Sequence, residues 1–263
     1  MFSKLRSLIF KVDPEKAHTL AIKSLKFNLV PNVFDENKND PIFQTKIFDK
    51  DLDNPIGMAA GFDKNAEVYN SLFKLGFGFV EVGTITPLKQ YGNPKPRVFR
   101  LVEDEALINR LGFNNQGAEI VKERIKRNTK LGLLGINVGP NKDSSNRLND
   151  YLIGLKTFYD DADYITINIS SPNTENLRIF HEVDKLQDLL KSIMEERKNL
   201  KSNIPIAVKV SPDISEDQVN QVSEILLEHE IKAIIVSNTS EATREKLSNI
   251  QRHQKGGLSG KPI

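Results

Sequence analysis

Six short apolar runs set the organisation of this chain, each followed by turn residues and then by a segment with helical spacing. They are residues 55–60 (PIGMAA), 79–82 (FVEV), 133–138 (LLGINV), 164–169 (YITINI), 205–210 (PIAVKV) and 233–236 (AIIV). Runs of this length, rich in Val and Ile, suit buried strands. Helical spacing fills the segments between them, as in 183–200 and 215–227, where Ser215 offers an N-cap ahead of Asp217, Val219 and Val222. Alternation of strand and helix predicts parallel strands joined by right-handed crossovers.

The polar residues choose between a doubly wound sheet and a barrel. They gather where strand after strand ends: Gly61-Phe62-Asp63-Lys64, Gly83-Thr84, Asn137, residues 168–173, Lys209 and Ser237-Asn238-Thr239. Chemistry spread round the C-terminal ends of successive strands is the layout of a (β/α)8 barrel. A doubly wound sheet would collect it at one switch point, and no GxGxxG follows the first strand. The expected fold is therefore α/β, a TIM (β/α)8-type barrel with about six of eight units present. Residues 256–263 (GGLSGKPI) stand where a seventh unit would begin. Six strands alone leave two open sheet edges. The chain is expected to lack a C-terminal part of the barrel, or to have the barrel completed by another chain.

The start of the chain differs from the rest. Phe2, Leu5, Leu8, Ile9 and Val12 predict a short amphipathic helix with Lys4, Arg6 and Lys11 on or beside its other face. Asp13-Pro14 is an N-cap and first-turn pair for a second helix running to about Phe27. Two readings fit: a helical hairpin packed on the barrel's end, or an interfacial membrane anchor. The expected division is a helical extension over residues 1–38 and a barrel over 39–263.

Composition removes several classes of function. With 263 residues, 38% of them hydrophobic, the chain suffices for one large domain or two small ones. Its 37 basic and 35 acidic residues leave a net charge of +2, which implies no bulk attraction to nucleic acid. The absence of cysteine excludes disulfides, thiolate metal sites and a cysteine nucleophile. No apolar run approaches the roughly 20 residues of a spanning helix, and the N-terminus has no small-residue cleavage site. The plainest expectation is a soluble cytoplasmic protein.

Three groups of residues carry chemistry. Asn109, Asn114, Asn115, Asn137, Asn168 and Asn173 fall at strand ends or in the loop NRLGFNN. Amides both donate and accept, which suits a planar heterocycle with carbonyls and ring NH groups; taken singly, each could instead build a turn. Lys64 and Lys209 lie at or near strand ends, where a lysine needs a partner. That partner is a bound anion, an electron-rich ring, or a salt-bridging carboxylate such as Asp63 or Glu81. Ser170 and Ser171 have none of His18, His181, His229 or His253 beside them and no Gly-x-Ser-x-Gly elbow. Neither a hydrolase triad nor a catalytic metal is expected. What remains is a serine that moves one proton with help from its neighbours.

In order along the chain stand DPEKAH, GMAAGFDKN, GFGFVEVGTITP, PKPRVFRL with LINRLGFNNQG, GINVGPNK, INISSPNT, AVKVSPD, SNTS and GGLSGKP. From about Phe2 to its last residue the chain resembles the class 2, quinone-dependent dihydroorotate dehydrogenases. The resemblance implies a flavin enzyme of pyrimidine (UMP) synthesis that oxidises (S)-dihydroorotate to orotate, with FMN across the barrel mouth. It implies FMN contacts at Ala60, Gly61, Lys64, Thr84, Asn137, Asn168, Lys209, Ser237 and Gly260. It implies substrate contacts at Lys64, Asn109, Arg110, Leu111, Gly112, Phe113, Asn168, Asn173, Asn238 and Thr239. The base position is Ser171, where class 1 relatives use a cysteine.

On this reading Ser171 takes the C5 proton while the C6 hydride passes to flavin N5, and Thr174 or an ordered water relays the proton away. Lys64 offsets the substrate carboxylate, and Lys209 stabilises negative charge on the reduced flavin. Ubiquinone or menaquinone is the implied electron acceptor. It would enter between the two N-terminal helices, which favours the anchor reading of residues 1–30. The implied protein is a monomer held peripherally at the cytoplasmic side of a cell membrane, or at a mitochondrial inner membrane, with no nucleic-acid partner.

The family's Gly-Gly loop and tyrosine-containing turn for the FMN phosphate are not in these 263 residues. The chain by itself is therefore expected to bind FMN weakly or not at all. Two other readings stay open. One is a class 1 or dihydropyrimidine-type flavin reductase, against which Ser171 and the helical N-terminus count. The other is a truncated, non-catalytic remnant that binds orotate or a partner without turnover.

Overall fold

The computed structural model of the chain describes residues 9–29, 41–174, 176–242 and 244–263. Helix α1 (Pro14–Lys26) begins as its sequence requires: Asp13 accepts from Lys16 N at 2.9 Å and Pro14 takes the first turn. The helix expected before it rests on Phe2, Leu5 and Leu8, which lie outside the described residues. An antiparallel hairpin follows, β1 (Thr45–Ile47) with β2 (Lys50–Leu52). Next come β3 (Gly57–Met58), α2 (Tyr69–Lys74) and β4 (Phe79–Ile85). A second hairpin, β5 (Val98–Leu101) with β6 (Ala106–Asn109), precedes α3 (Ala118–Lys126). The pattern then repeats as β7 (Leu133–Val138), α4 (Arg147–Phe158), β8 (Tyr164–Asn168), α5 (Val183–Asn199), β9 (Ile206–Lys209), α6 (Glu216–Glu228) and β10 (Ala233–Ile235). Last is β11 (Gly257–Gly260).

Strands β3, β4, β7, β8, β9 and β10 form one parallel sheet in that spatial order. These are the six strands that the sequence marks out, in the sequential neighbour order of a (β/α)8 barrel. The protein is a partial TIM barrel with a helix before it. Every residue of β7, β8 and β9 is buried, because helices cover one face of the sheet and side chains fill the barrel on the other. Ile136, Ile165, Ile167 and Val208 share one core with Leu189, Leu190 and Ile193 of α5. Each such side chain contributes about 1.5–3 kcal/mol, and Ile167→Ala would cost about 2–5 kcal/mol. Helix α6 starts at a capping box in which Ser215 and Gln218 bond each other's backbone.

The β1–β2 hairpin closes the N-terminal ends of the strands. Leu52 packs there with Leu133, Tyr164 and Ala207, and the Phe48 and Tyr164 rings lie 5.2 Å apart. The other end of the barrel holds the site.

Residues 257–260 do not open a seventh barrel unit. Strand β11 pairs antiparallel with β6 and completes a separate sheet, β11-β6-β5. The cause is a second, small core: Leu258 is buried with Phe99, Leu101, Ile108 and Leu247. Strand β5 alternates partly buried and buried residues, as a strand with one covered face does, where β7, β8 and β9 are buried throughout.

Candidate active site

The parallel register of β4, β7 and β8 brings Thr84, Asn137 and Asn168 together, all nearly closed to solvent. Thr84 Oγ1 donates to Asn137 Oδ1 at 2.6 Å. Asn168 Nδ2 donates to Thr84 Oγ1 at 2.8 Å and to Asn137 Oδ1 at 3.1 Å. The line continues outward: Ser170 Oγ donates to Asn168 Oδ1 at 2.9 Å, and Asn238 Nδ2 donates to Ser170 Oγ at 3.0 Å. Thr239 N donates to Asn238 Oδ1 at 2.8 Å, and Ser237 Oγ to Asn238 O at 3.0 Å. Buried polar groups need partners, and here the implied site residues supply one another.

A second group meets beside it. Asn173 Nδ2 donates to Asn109 Oδ1 at 3.3 Å, and Asn173 N donates to Ser171 Oγ at 3.2 Å. Ser171 is buried, and no histidine or carboxylate bonds its hydroxyl among the described residues. Nor does a hydrogen bond join it there to the buried Thr174 hydroxyl. Asn93, which the sequence reading passed over, ties the two loops: its Nδ2 donates to Arg110 O at 3.1 Å and to Asn173 O at 3.3 Å. Gly112 and Phe113 both take left-handed φ, +69° and +53°. Phe113 packs on the barrel core.

Arg110 faces elsewhere. Its guanidinium donates to Gln254 Oε1, Lys255 O and Pro96 O and lies 4.6 Å from the Phe99 ring centroid. It braces the antiparallel sheet. Gly260 is likewise on that sheet, opposite Ala106, and an added Cβ would meet Glu105 O at 2.5 Å. Neither residue bonds the amide line.

The loop after β3 carries Ala60, Gly61 and Lys64. Gly61 N donates to Gly83 O at 2.8 Å and Gly83 N to Asp63 O at 3.0 Å, which pins the loop to β4. Gly61 has φ +108°, and a Cβ there would meet nothing within 4 Å. Lys64 Nζ donates to Gly61 O at 2.5 Å. Burial pushes the Lys64 ammonium down to about 8 and also lowers that of Lys209. Among the described residues neither lysine forms an ion pair. The alternative in which Asp63 or Glu81 salt-bridges them is thus not what forms. Asp63 instead caps backbone, accepting from Glu67 N at 2.8 Å and Val68 N at 2.7 Å. Glu81, 4% exposed, accepts from Asn137 Nδ2 at 2.8 Å.

Between α1 and this loop lies a cavity of about 420 Å³, lined among others by His18, Ile22, Lys64, Arg100, Leu111 and Asn114. Asn114 Oδ1 is buried there without a partner among the described residues.

A family model describing dihydroorotate dehydrogenase matches residues 42–263. The chain belongs to the dihydroorotate dehydrogenase family.

It is 46% identical over 268 residues to a protein of Agrobacterium fabrum named dihydroorotate dehydrogenase (quinone), covering all of this chain and 73% of that one. The same name is borne by a Bartonella tribocorum protein, 46% identical over 265 residues, with 98% of this chain and 72% of that one covered. Among solved structures, Eimeria tenella DHODH in complex with ferulenol superposes with a TM-score of 0.90 at 37% identity, over 95% of this chain and 73% of that one. These relatives put the chain in the quinone-dependent, class 2 branch of the dihydroorotate dehydrogenases. Of the family positions carried over by motif, those from β4, β7 and β8 converge in this dihydroorotate dehydrogenase, while Arg110 and Gly260 join the antiparallel sheet.

Proposed function

We propose that the chain oxidises (S)-dihydroorotate to orotate in pyrimidine synthesis, with FMN as hydride acceptor and a quinone as final electron acceptor. The observation that carries this reading is the meeting of Ser171, Asn173 and Asn109 beside the Thr84–Asn137–Asn168 line. One proton-handling hydroxyl thus faces amides suited to a ring with two carbonyls and two NH groups. Two features of the chain fit FMN: the unobstructed space at Gly61 and the buried Lys209 ammonium without an ion pair among the described residues. When bound, FMN supplies the two-electron acceptor.

The protein's own groups do the rest. Ser171 Oγ takes the substrate proton as its own hydroxyl proton passes to water, and the bond that Asn173 N donates to that oxygen holds it in place. Asn109 and Asn173 orient the ring edge, and Lys64 stands ready for the carboxylate. Lys209 would stabilise negative charge on a flavin held there.

The cavity beside α1 is the place for the quinone, since Ile22, Val98, Leu107 and Leu111 give it apolar walls. No helix of the described residues is long and apolar enough to cross a membrane. Leu20, Phe27 and Leu29 are well exposed, and they support a peripheral seat of the 1–38 extension on the cytoplasmic face of a membrane. An anaerobic visible spectrum of the purified chain with FMN, before and after dihydroorotate, tests the reading. Bleaching of bound flavin supports it; bound flavin that does not bleach overturns it.

A further inference from the structure

The hydrogen bonds at the barrel mouth all point one way. Asn238 donates to Ser170, Ser170 to Asn168, Asn168 to Thr84 and Asn137, and Thr84 to Asn137. Asn137 then donates inward, to Glu81 Oε1 at 2.8 Å. The other oxygen of Glu81 accepts from Tyr164 OH at 2.9 Å and Thr166 Oγ1 at 2.8 Å. Three donors from three side chains thus converge on one group inside the barrel.

A carboxylate accepts and does not donate, whereas an amide has one end of each kind. With Glu81 beneath it, Asn137 turns its NH2 inward and its carbonyl oxygen outward. That oxygen can only accept, so Thr84 and Asn168 donate to it. Asn168 therefore presents its own oxygen to Ser170, and Ser170 is left to accept from Asn238. Each orientation follows from the one below it, and the lowest is fixed by charge. A group at position 81 that both donates and accepts would leave the direction of every amide above it open. Burial pushes the Lys209 ammonium toward losing its proton, and the Glu81 charge opposes that loss.

We infer that Glu81 is a positioning residue: by accepting from Asn137, its carboxylate sets the donor–acceptor direction of the Asn137–Thr84–Asn168–Ser170–Asn238 line, and so the face that line presents to a ring bound at the mouth. What is bound rests on the flavin reading above. The direction of the line does not.

The test is side-chain amide NMR of the ligand-free chain, deuterated except at asparagine, glutamate and threonine. The Asn137 NH2 is expected as one sharp pair with cross-relaxation to the Glu81 γ-protons and none to the Thr84 methyl. Contact with Thr84 instead overturns the inference, whether or not any variant folds. Glu81→Gln keeps the shape and removes the acceptor-only character. It is expected to fold with a near-unchanged melting temperature, to broaden or double the Asn137 pair, and to weaken FMN binding about tenfold by fluorescence titration. An unchanged amide pair in Glu81→Gln sinks the inference whatever FMN does. A changed pair with unchanged FMN affinity confines Glu81 to the core and also overturns the positioning role. Failure of both chains to bind FMN counts against the flavin reading, while the amide spectra still decide the direction.

Discussion

Glu15 of α1 and Arg97, just before β5, form a two-point ion pair across 82 residues of sequence. Arg97 Nε donates to Glu15 Oε2 at 3.1 Å and Nη2 to Oε1 at 2.6 Å. Arg97 also donates to Tyr91 O and Asn93 O, so one side chain fastens the N-terminal helix and the loop that carries Asn93. Both carboxylate oxygens and most of the guanidinium are engaged, which is the geometry in which such pairs matter.

Breaking this pair should loosen α1 from the barrel. Glu15→Gln is expected to lower stability by about 1–2 kcal/mol, read as a shift in the denaturant midpoint with little change in slope. The pair also predicts acid sensitivity. Its hydrogen bonds to Arg97 hold the Glu15 carboxyl below its ordinary 4.5. A lowered acid contributes stability that is present above 4.5 and lost as pH falls toward the lowered value. The variant should lose less stability than the unmodified chain over that acid range.

Lys64 should make substrate binding pH-dependent. Burial brings its ammonium to about 8 in the ligand-free protein, so affinity for orotate is expected to fall as pH rises through 8 and the charge is lost. Calorimetric titration of orotate against pH checks this, and Lys64→Met should bind weakly at every pH. For folding the sign is opposite. Between about 8 and 10.5 the unfolded lysine holds a proton that the native one has released, so this group's contribution to stability rises with pH.

Removal of the Ser171 hydroxyl should stop chemistry and spare binding. Ser171→Ala is expected to slow substrate-dependent flavin bleaching by about 10²–10⁴, with the FMN spectrum and the orotate affinity kept. Stopped-flow absorbance under nitrogen measures the rate. An unchanged rate would show that another group takes the proton.

Gly83 should tolerate no side chain. Its φ is +112°, and a Cβ would meet Asn137 O at 2.4 Å and Ile85 N at 2.9 Å. Gly83→Ala is therefore expected to part β4 from β7 at the level of the amide line. A melting temperature equal to that of the unmodified chain would refute this.

The six barrel strands were legible because a strand buried on both faces must be apolar throughout, and YITINI or LLGINV can be little else. The caps at Asp13 and Ser215 were legible because the sequence signal and the bond are the same few atoms. The antiparallel sheet was not. Its strands are four residues each, and its third member lies far along the chain, so nothing local announces the pairing of Leu258 with Ile108. The candidate site residues were named by motif, yet the motif says nothing of direction. That Arg110 braces Gln254 and Phe99 follows from where the antiparallel sheet sits. Glu81 stood in plain view inside FVEV as a buried acid on a strand. Only the register of β4 against β7 and β8 reveals that it carries Asn137, Tyr164 and Thr166.

Strand β11 reaches back 152 residues to bond β6, from Ser259 Oγ to Leu107 O. During synthesis, every barrel strand described above leaves the ribosome before that partner exists. Until β11 arrives, the edge of β6 is open on that side, and Asn109 at its end has β5 but not β11 as a strand partner. Closing so long a loop is slow compared with forming the strand-helix units in between. The six described barrel strands can thus pair before the β5–β6 hairpin gains its third strand, so the sheet beside Asn109 sets later than the barrel strands do.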